Sequence, residues 1–403
     1  MEIMIKILND YARQILSALP ANRLLALDVF RGLTITAMVL VNNPGSWSYV
    51  YPPMLHAEWH GWTPTDLIFP FFVFIVGVSI SIVMSRELQK GTNKLLLIKN
   101  AGIRAGKLFL LGLFLALFYF NFVEPNYSWL ESQLFSIRVM GVLQRLGLVF
   151  FFTVLIVIYF KPLGRFFWML GILVSYWLLL TLVPYSTPNG DLVTGSLAFG
   201  NNLHAWLDSY VFAEANLYYR DAKPFAFDPE GLLSTLPAIA GALAGVFTGD
   251  VLTDKTRSLQ SKCQLMLISG LTLLLVGELW GLVFPINKAL WTSSYVLMST
   301  GWALVILAAL TWLIDIKGVK QWSAPFVVFG ANAIGFYMFS AVLARLLIMI
   351  PMQETSVQGW LFSFIYQPVF GNYSGSLMFA ISFCLFCYLV MHWLYKKQIF
   401  FKV

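Results

Sequence analysis

The side chains best equipped for chemistry in this chain crowd between Asn42 and Asp66. The segment reads Asn42-Asn43-Pro44-Gly45, then aromatic residues, then Pro52-Pro53-Met54-Leu55-His56-Ala57-Glu58-Trp59-His60-Gly61-Trp62-Thr63-Pro64-Thr65-Asp66. His56 and His60 are two of the four histidines in the sequence. Imidazole suits proton transfer near neutral pH, as a general base or as a nucleophile that is briefly acylated, and nearby carboxylates make a base here chemically plausible. Plainer readings stand beside that one. Thr63-Pro64-Thr65-Asp66 has the spacing of a capping box at a helix start, with proline in the first turn. His56 and His60 are four apart and on a helix could hold a metal. However, His-Ala-Glu-Trp-His is not the His-Glu-x-x-His of zinc proteases, and no metal is expected. Pro70 predicts a kink in the following helix.

Elsewhere, polar groups fall at or inside apolar runs, where burial is expensive unless a partner or ligand compensates. Asp28 and Arg31 are spaced for an intrahelical pair as well as for a ligand contact. Arg138 and Arg145 share a helical face, and Arg145 within Val-Leu-Gln-Arg-Leu-Gly must point into a bundle because lipid would reject it. Asp228-Pro229-Glu230-Gly231 predicts an aspartate cap at a helix start, which accounts for Asp228 fully and for Glu230 only in part. Asn287 and Lys288 precede Trp291 at an expected turn, while Asn332 in Gly-Ala-Asn-Ala-Ile is expected in a helix interior with no local reason to be polar. His204 and His392 stand beside aromatic residues, as interfacial side chains do. Cys263, Cys384 and Cys387 sit where neither a disulfide nor zinc is expected. The sequence contains no Gly-x-x-x-x-Gly-Lys-Ser/Thr, Gly-x-Gly-x-x-Gly or Gly-x-Ser-x-Gly, which disfavours an ATP-driven pump and a serine hydrolase.

What must position these groups is a membrane bundle. Of 403 residues, 59% are hydrophobic and 11% charged, a composition too apolar for soluble domains. The net charge of +7 resides in small clusters between apolar runs, not in a basic stripe, so no nucleic acid partner is expected. Runs long enough to cross hydrocarbon lie near 24–42, 66–84, 101–123, 141–160, 166–183, 232–248, 264–284, 293–314, 324–350 and 375–394. The expected fold is all-α, a polytopic bundle of about ten transmembrane helices. With residue 1 in the cytoplasm, 20 of the 26 Lys and Arg fall on the cytoplasmic side; the remainder are Arg138, Arg145, Arg220, Lys223, Lys288 and Arg345. The positive-inside rule therefore places both termini inside. Residues 1–23, with Lys6 and Arg13, read as an uncleaved amphipathic lead-in to a membrane domain over 24–403. The longest excursion, 184–231, is expected to form a periplasmic cap, and Gly241, Gly245 and Gly249 a close helix-packing face.

Leu27-Asp28-Val29-Phe30-Arg31-Gly32 with Val41-Asn42, His56-Ala57-x-Trp59-x-Gly61 and Asp66-Leu67-Ile68-Phe69-Pro70 resemble the heparan-alpha-glucosaminide N-acetyltransferase family. So do Gly141-Val142-Leu143-Gln144-Arg145-Leu146-Gly147, Asp228-Pro229-Glu230-Gly231-Leu232-Leu233, Pro285-Ile286-Asn287-Lys288-x-Leu290-Trp291 and Gly330-Ala331-Asn332-Ala333. In length and in starting directly at this membrane domain the chain is similar to bacterial members associated with N-acetylglucosamine use, and it is expected to be without the luminal domain and preceding helix of lysosomal members. The resemblance implies acetyl transfer from cytoplasmic acetyl-CoA, as co-substrate, to the amine of a glucosamine-type sugar across the bacterial inner membrane. A free amino sugar or short glycan fits better than polymeric heparan. His56 matches the family's catalytic histidine and Asn42 an asparagine of the site; an acetyl-histidine and a ternary complex both remain open.

Chemistry adds candidates to those two. Asp66, Arg138, Arg145, Glu230, Asn287, Lys288, Trp291 and Asn332 are expected around the sugar, with Trp47, Trp59 and Trp62 as further aromatic faces. Asp28, Arg31, Arg104 and Lys107 are expected near the coenzyme. Expected partners are these substrates, the lipid bilayer and a second copy in a homodimer. The competing expectation is an inner-membrane transporter of N-acetylglucosamine or a related sugar without chemistry. That class favours midplane sites on paired broken helices, whereas here a histidine and oxyanion donors gather at one end.

Overall fold

A computed structural model describes the backbone of residues 2–17, 19, 24–124 and 126–401 and the side chains from Asp10 onward. The domain boundary expected at residue 23, and Arg23 and Lys402 of the charge count, lie outside the described residues.

After α1 (Glu2–Ser17) come α2 (Leu25–Asn42), α3 (Ile68–Gln89), α4 (Lys94–Leu117), α5 (Val142–Tyr159) and α6 (Pro162–Leu182). A short α7 (Leu203–Val211) precedes α8 (Leu232–Thr253), α9 (Leu259–Gly281), α10 (Ser293–Leu310), α11 (Ala324–Ala331) and α12 (Ala333–Met349). Two brief helices, α13 (Val357–Leu361) and α14 (Gln367–Phe370), lead to α15 (Asn372–Lys396). Among the described residues, nine helices are long and apolar enough to cross a membrane, or ten if the bent pair formed by α11 and α12 is one span. The chain is a multi-pass membrane protein with the expected all-α architecture.

The spans sort by burial. Those built on α2, α3, α5, α8 and α10 have 61–72% of their apolar window buried and form the interior, whereas α4, α6, α9 and α15 have only 17–33% and present their apolar residues to lipid. Helices α3 and α8 cross so closely that a Cβ at Gly245 would collide with the Phe74 carbonyl, and one at Gly77 with that of Ala242. Gly249 also packs on α3, against Ser81, while Gly241 faces Val296 of α10 with room to spare.

Three sequence expectations shift. The run expected at 101–123 is helical from Lys94 to Leu117, because the Asn93 side chain accepts from the Leu95 N–H and starts the helix early. Pro70 lies in the first turn of α3, where its missing N–H removes no helix bond, and the helix proceeds to Gln89. The run at 324–350 is bent by 76° at Asn332, which stands at the break and not in a helix interior. Its amide donates to the Ile399 carbonyl at 2.8 Å and its oxygen accepts from the Phe401 N–H at 2.9 Å, so it ties the C-terminal tail to the bend.

Residues 184–231 fold as a cap of two short hairpins and α7. Its apolar side, including Tyr185, Leu203 and Phe227, packs with Tyr176 of α6 and Phe284.

Candidate active site

Asp66 ends the turn that leads into α3 and is 1% exposed. Both sequence readings of it are realised. Its Oδ2 accepts from the Thr63 N–H at 2.9 Å, completing the capping box, and from the Ala57 N–H at 3.0 Å, while Oδ1 stands 2.7 Å from Nδ1 of His56. A carboxylate anchored by two backbone donors cannot swing away, so the cap also orients the imidazole. Because an ionised carboxylate only accepts, Nδ1 is the donor of this pair, and in the neutral imidazole the lone pair is then on Nε2.

Lys288 comes to this dyad from far along the chain. Its Nζ lies 3.1 Å from Nε2 of His56 and 4.0 Å from Oδ1 of Asp66. Burial pushes the Lys288 ammonium below its ordinary value, against the pull of Glu230 and Asp66. The lysine is held by its neighbour: the Asn287 amide donates to the Trp59 carbonyl at 2.8 Å and its oxygen accepts from the Leu290 N–H at 2.8 Å. Gly61 N–H also donates to the Ile286 carbonyl at 2.8 Å, stapling the two loops together. Asn287 is therefore a positioning residue. His60 faces Asn287, 3.4 Å away, and burial lowers its pKa.

Arg138 forms the opposite wall. Its Nε and Nη2 donate to the two oxygens of Asp228, both at 2.7 Å, and Nη2 also pairs with Glu230. Burial disfavours the guanidinium charge, but both carboxylates outweigh it and raise the pKa. Asp228, expected as the cap of α8, accepts from the Glu230 N–H at 2.9 Å as well as from Arg138, but it stands ahead of the helix, whose Leu232 N–H is taken by Oδ1 of Asp208 from the cap at 3.2 Å. His204, expected at an interface, is fully buried in the same cluster, its Nε2 2.9 Å from the Asp228 carbonyl and 3.5 Å from Asp208.

Between these walls lies a cavity of about 250 Å³. Of the residues expected at the site, Asn42, His56, Asp66, Arg138, Glu230 and Lys288 line it. Asn42, the last residue of α2, lines the same cavity as the imidazole and the lysine. Glu58, Trp59, Tyr218, Tyr219 and Tyr337 also face it. The tyrosines were missed because nothing local separates them from the many other aromatic residues.

Arg145, Asn287, Trp291 and Asn332 are not among its walls. Arg145 is completely buried, donates to the Pro229 carbonyl at 2.8 Å and to Ser234, and stacks 4.8 Å from the Trp291 ring. Nη2 alone meets carbonyl and hydroxyl oxygens, Nε and Nη1 are buried without a hydrogen-bond partner among the described residues, and an aromatic face, not a direct carboxylate, lies against the charge. Arg145→Leu should leave buried acceptors unsatisfied, cost ~1–3 kcal/mol and lower the melting temperature in detergent. An unchanged melting curve would reject this strut role.

Two further cavities continue toward the opposite face. One of about 300 Å³ takes Arg31 and Arg104 into a mostly apolar wall. It uses the next turns of the helices that line the outer cavity: Phe72 after Phe69, Leu146 after Val142, and Ile334 before Tyr337. The other, about 1250 Å³, shares Arg31 and Ser79 with it and opens among Asp28, Arg86, Lys255, Arg257 and Lys262. Arg31 bridges Asp28 at 3.4 Å and Ser79 at 3.2 Å. Lys107 lines none of these three cavities. Arg86, Lys255, Arg257 and Lys262 were legible only as topology-setting charge.

Fold and site together define a multi-pass membrane protein with a histidine–carboxylate dyad at one mouth of its bundle and a basic chamber at the other. Residues 23–284 match the family described as "Heparan-alpha-glucosaminide N-acetyltransferase, catalytic", and the chain belongs to that family. It is 33% identical over 367 residues to the Mus musculus protein named heparan-alpha-glucosaminide N-acetyltransferase, a match covering 80% of this chain and 54% of the mouse protein. The Homo sapiens protein of that name is likewise 33% identical over 366 residues, covering 80% of this chain and 53% of the human one. The chain thus spans about half the length of the curated relatives it matches.

Proposed function

We propose that this protein transfers an acetyl group from acetyl-CoA to the amine of a glucosamine-type sugar, with the two substrates reaching one bundle from opposite sides of a bacterial inner membrane. The observation that carries this is the His56–Asp66 dyad facing a cavity with Lys288 alongside. A transporter needs no such dyad. The basic groups of the inner chamber suit the coenzyme's phosphates, and the narrower, mostly apolar cavity suits its uncharged arm.

In this reading the coenzyme supplies the thioester, and the protein supplies proton movement and charge. Nε2 of His56 takes the proton as the amine attacks the carbonyl carbon; the C–S bond breaks and the proton passes to the departing sulfur. Asp66 stabilises the imidazolium formed meanwhile. Lys288 and Asn42 donate to the developing oxyanion. Direct attack by Nε2 on the thioester uses the same geometry, with the sugar amine arriving second.

Because burial lowers the pKa of Lys288, its ammonium is lost at a pH below the ordinary lysine value of 10.5. An oxyanion donor that loses its proton ends catalysis, so kcat/KM should fall on the alkaline side below that value. Lys288→Arg should shift the alkaline limb upward, and an unmoved limb would exclude lysine ionisation as its cause. The reading as a whole is tested by incubating purified protein with labelled acetyl-CoA and glucosamine. Label should appear on the sugar nitrogen; sugar uptake into vesicles without labelled product would favour the transporter.

A further inference from the structure

Lys288 is the one lysine that lines the reaction cavity among the described residues, and its amine stands where an acceptor amine has to stand. Nζ lies 3.1 Å from Nε2 and 3.3 Å from Nδ1 of His56, with the Asp66 carboxylate next at 4.0 Å. A carbonyl carbon brought within bonding reach of Nε2 is therefore within reach of Nζ as well. The backbone beneath the lysine is fixed by the bonds of Asn287 and by the Gly61–Ile286 contact, so the amine cannot be carried out of the cavity. Most lysines are shielded from acylation because they are hydrated ammonium ions. Lys288 has less of that shield, its side chain being only 20% exposed. Burial opposes its charge most; Glu230 and Asp66 favour the charge, the guanidiniums of Arg145 and Arg138 oppose it, and the balance lies below the ordinary lysine value. His56 and Glu58 complete the titratable groups around it in the cavity wall. The transfer mechanism uses the ammonium and gives the neutral amine no task. With Nε2 accepting one of its hydrogens, a neutral Nζ is free to turn its lone pair into the cavity, as the sugar nitrogen does in the transfer reaction.

We propose that Lys288 is itself an acetyl acceptor: when acetyl-CoA is bound and no sugar occupies the cavity, the chain acetylates its own Nζ. The inference rests on the transfer reading for its identification of the donor. The Nζ–C bond forms at the thioester carbonyl, the C–S bond breaks, and the proton leaves Nζ through Nε2 of His56 for the departing sulfur, giving N-acetyllysine and the free coenzyme thiol. The acetyl group is not passed on, because an amide is a far poorer acyl donor than a thioester. Acetylation also removes the cation that donates to the oxyanion and leaves an acetyl group in the acceptor's place. Lys288 is then a modification site that turns the enzyme off when donor arrives without acceptor, and an occupied acceptor site protects it.

The test incubates the full chain in lipid discs with labelled acetyl-CoA, at neutral and mildly alkaline pH, with and without glucosamine, and maps acetyl groups by peptide mass spectrometry. A hydroxylamine wash strips any acyl-imidazole and leaves N-acetyllysine. Lys288 should be acetylated at least about tenfold faster than Lys255 and Lys262, which line the basic mouth without a histidine among that chamber's walls. Its labelling should quicken at the higher pH and slow when glucosamine is present. His56→Ala should slow Lys288 labelling by about tenfold or more and leave the other two lysines unchanged. Wild-type turnover should decay during preincubation with acetyl-CoA alone and stay lost on dilution, whereas the turnover of Lys288→Arg, whatever its starting level, should hold constant. Labelled sugar with Lys288 unmodified, or Lys288 labelled no faster than the two controls and indifferent to His56→Ala, would overturn the inference and leave the transfer reading standing. Should acetyl-CoA label neither sugar nor chain, the transfer reading fails, and p-nitrophenyl acetate, which needs no coenzyme site, decides about the lysine. Preferential acetylation of Lys288 that is lost in His56→Ala sustains an acylable amine there, and labelling spread evenly over the lysines overturns it.

Discussion

His56→Ala should reduce acetyl transfer by at least ~10²–10⁴-fold, the range removed with a general acid–base group. The protein should still fold. The His56 side chain is 51% exposed, and Asp66 keeps its bonds to Ala57 and Thr63 when the imidazole is gone, so the capping box and the start of α3 survive. The variant's melting curve should therefore match wild type while its turnover is lost. Asp66→Asn separates the partner's role. An amide no longer demands the proton on Nδ1, so the tautomer that leaves Nε2 free is no longer favoured, and activity should drop with binding of both substrates retained. The proposal requires both variants to fail in the chemical step. Near-wild-type turnover of His56→Ala at equal protein levels would remove the dyad from the mechanism, and a quench experiment trapping label on wild-type but not variant protein would identify Nε2 as the nucleophile.

How much of this was legible beforehand depended on sequence separation. The spans followed from apolar run lengths, since hydrocarbon thickness imposes them whatever their neighbours do. His56 and Asp66 were legible as a pair of candidates because both lie in one loop. The capping signature of Thr63 and Asp66 looked like a competitor to chemistry, yet the two roles use different oxygens of one carboxylate. Lys288 could be ranked but not placed, as 232 positions separate it from His56. Arg138 and Asp228 were each visible, yet their pairing across 90 positions was not, so Asp228 was given only a local task, which it shares with Asp208. Local rules assign a polar residue its nearest plausible partner, and tertiary packing overrides that wherever a stronger charge arrives from elsewhere. Asn332 failed for a related reason: an apolar run does not reveal that the amide side chain at its centre will bond the backbone of a distant C-terminal tail.

Sidedness gives the sharpest expected contrast. With residue 1 in the cytoplasm, 20 of the 26 cations are expected on the side that bears the large basic chamber, as the positive-inside rule favours. His56, Lys288 and the cap residues Tyr218 and Tyr219 gather around the cavity at the other side. In the proposed reaction acetyl-CoA, which is made in the cytoplasm and is too polar to cross lipid, is expected to enter through the basic mouth. The two inner cavities share Arg31 and Ser79, and the outer cavity, which shares no lining residue with them, begins about one turn further along α3, α5 and α12. Right-side-out vesicles loaded with acetyl-CoA should therefore acetylate an impermeant amino sugar supplied outside, with the product accumulating outside. Reversing the compartments should yield little product, because the coenzyme meets the cap and the sugar meets arginines and lysines. Arg31→Ala combined with Arg257→Ala should raise the KM for acetyl-CoA and leave that for the sugar unchanged, locating the coenzyme at the basic mouth independently of the vesicle result. Equal rates in both loading arrangements, with the vesicles sealed and uniformly oriented, would defeat the transmembrane path even if His56 proved essential.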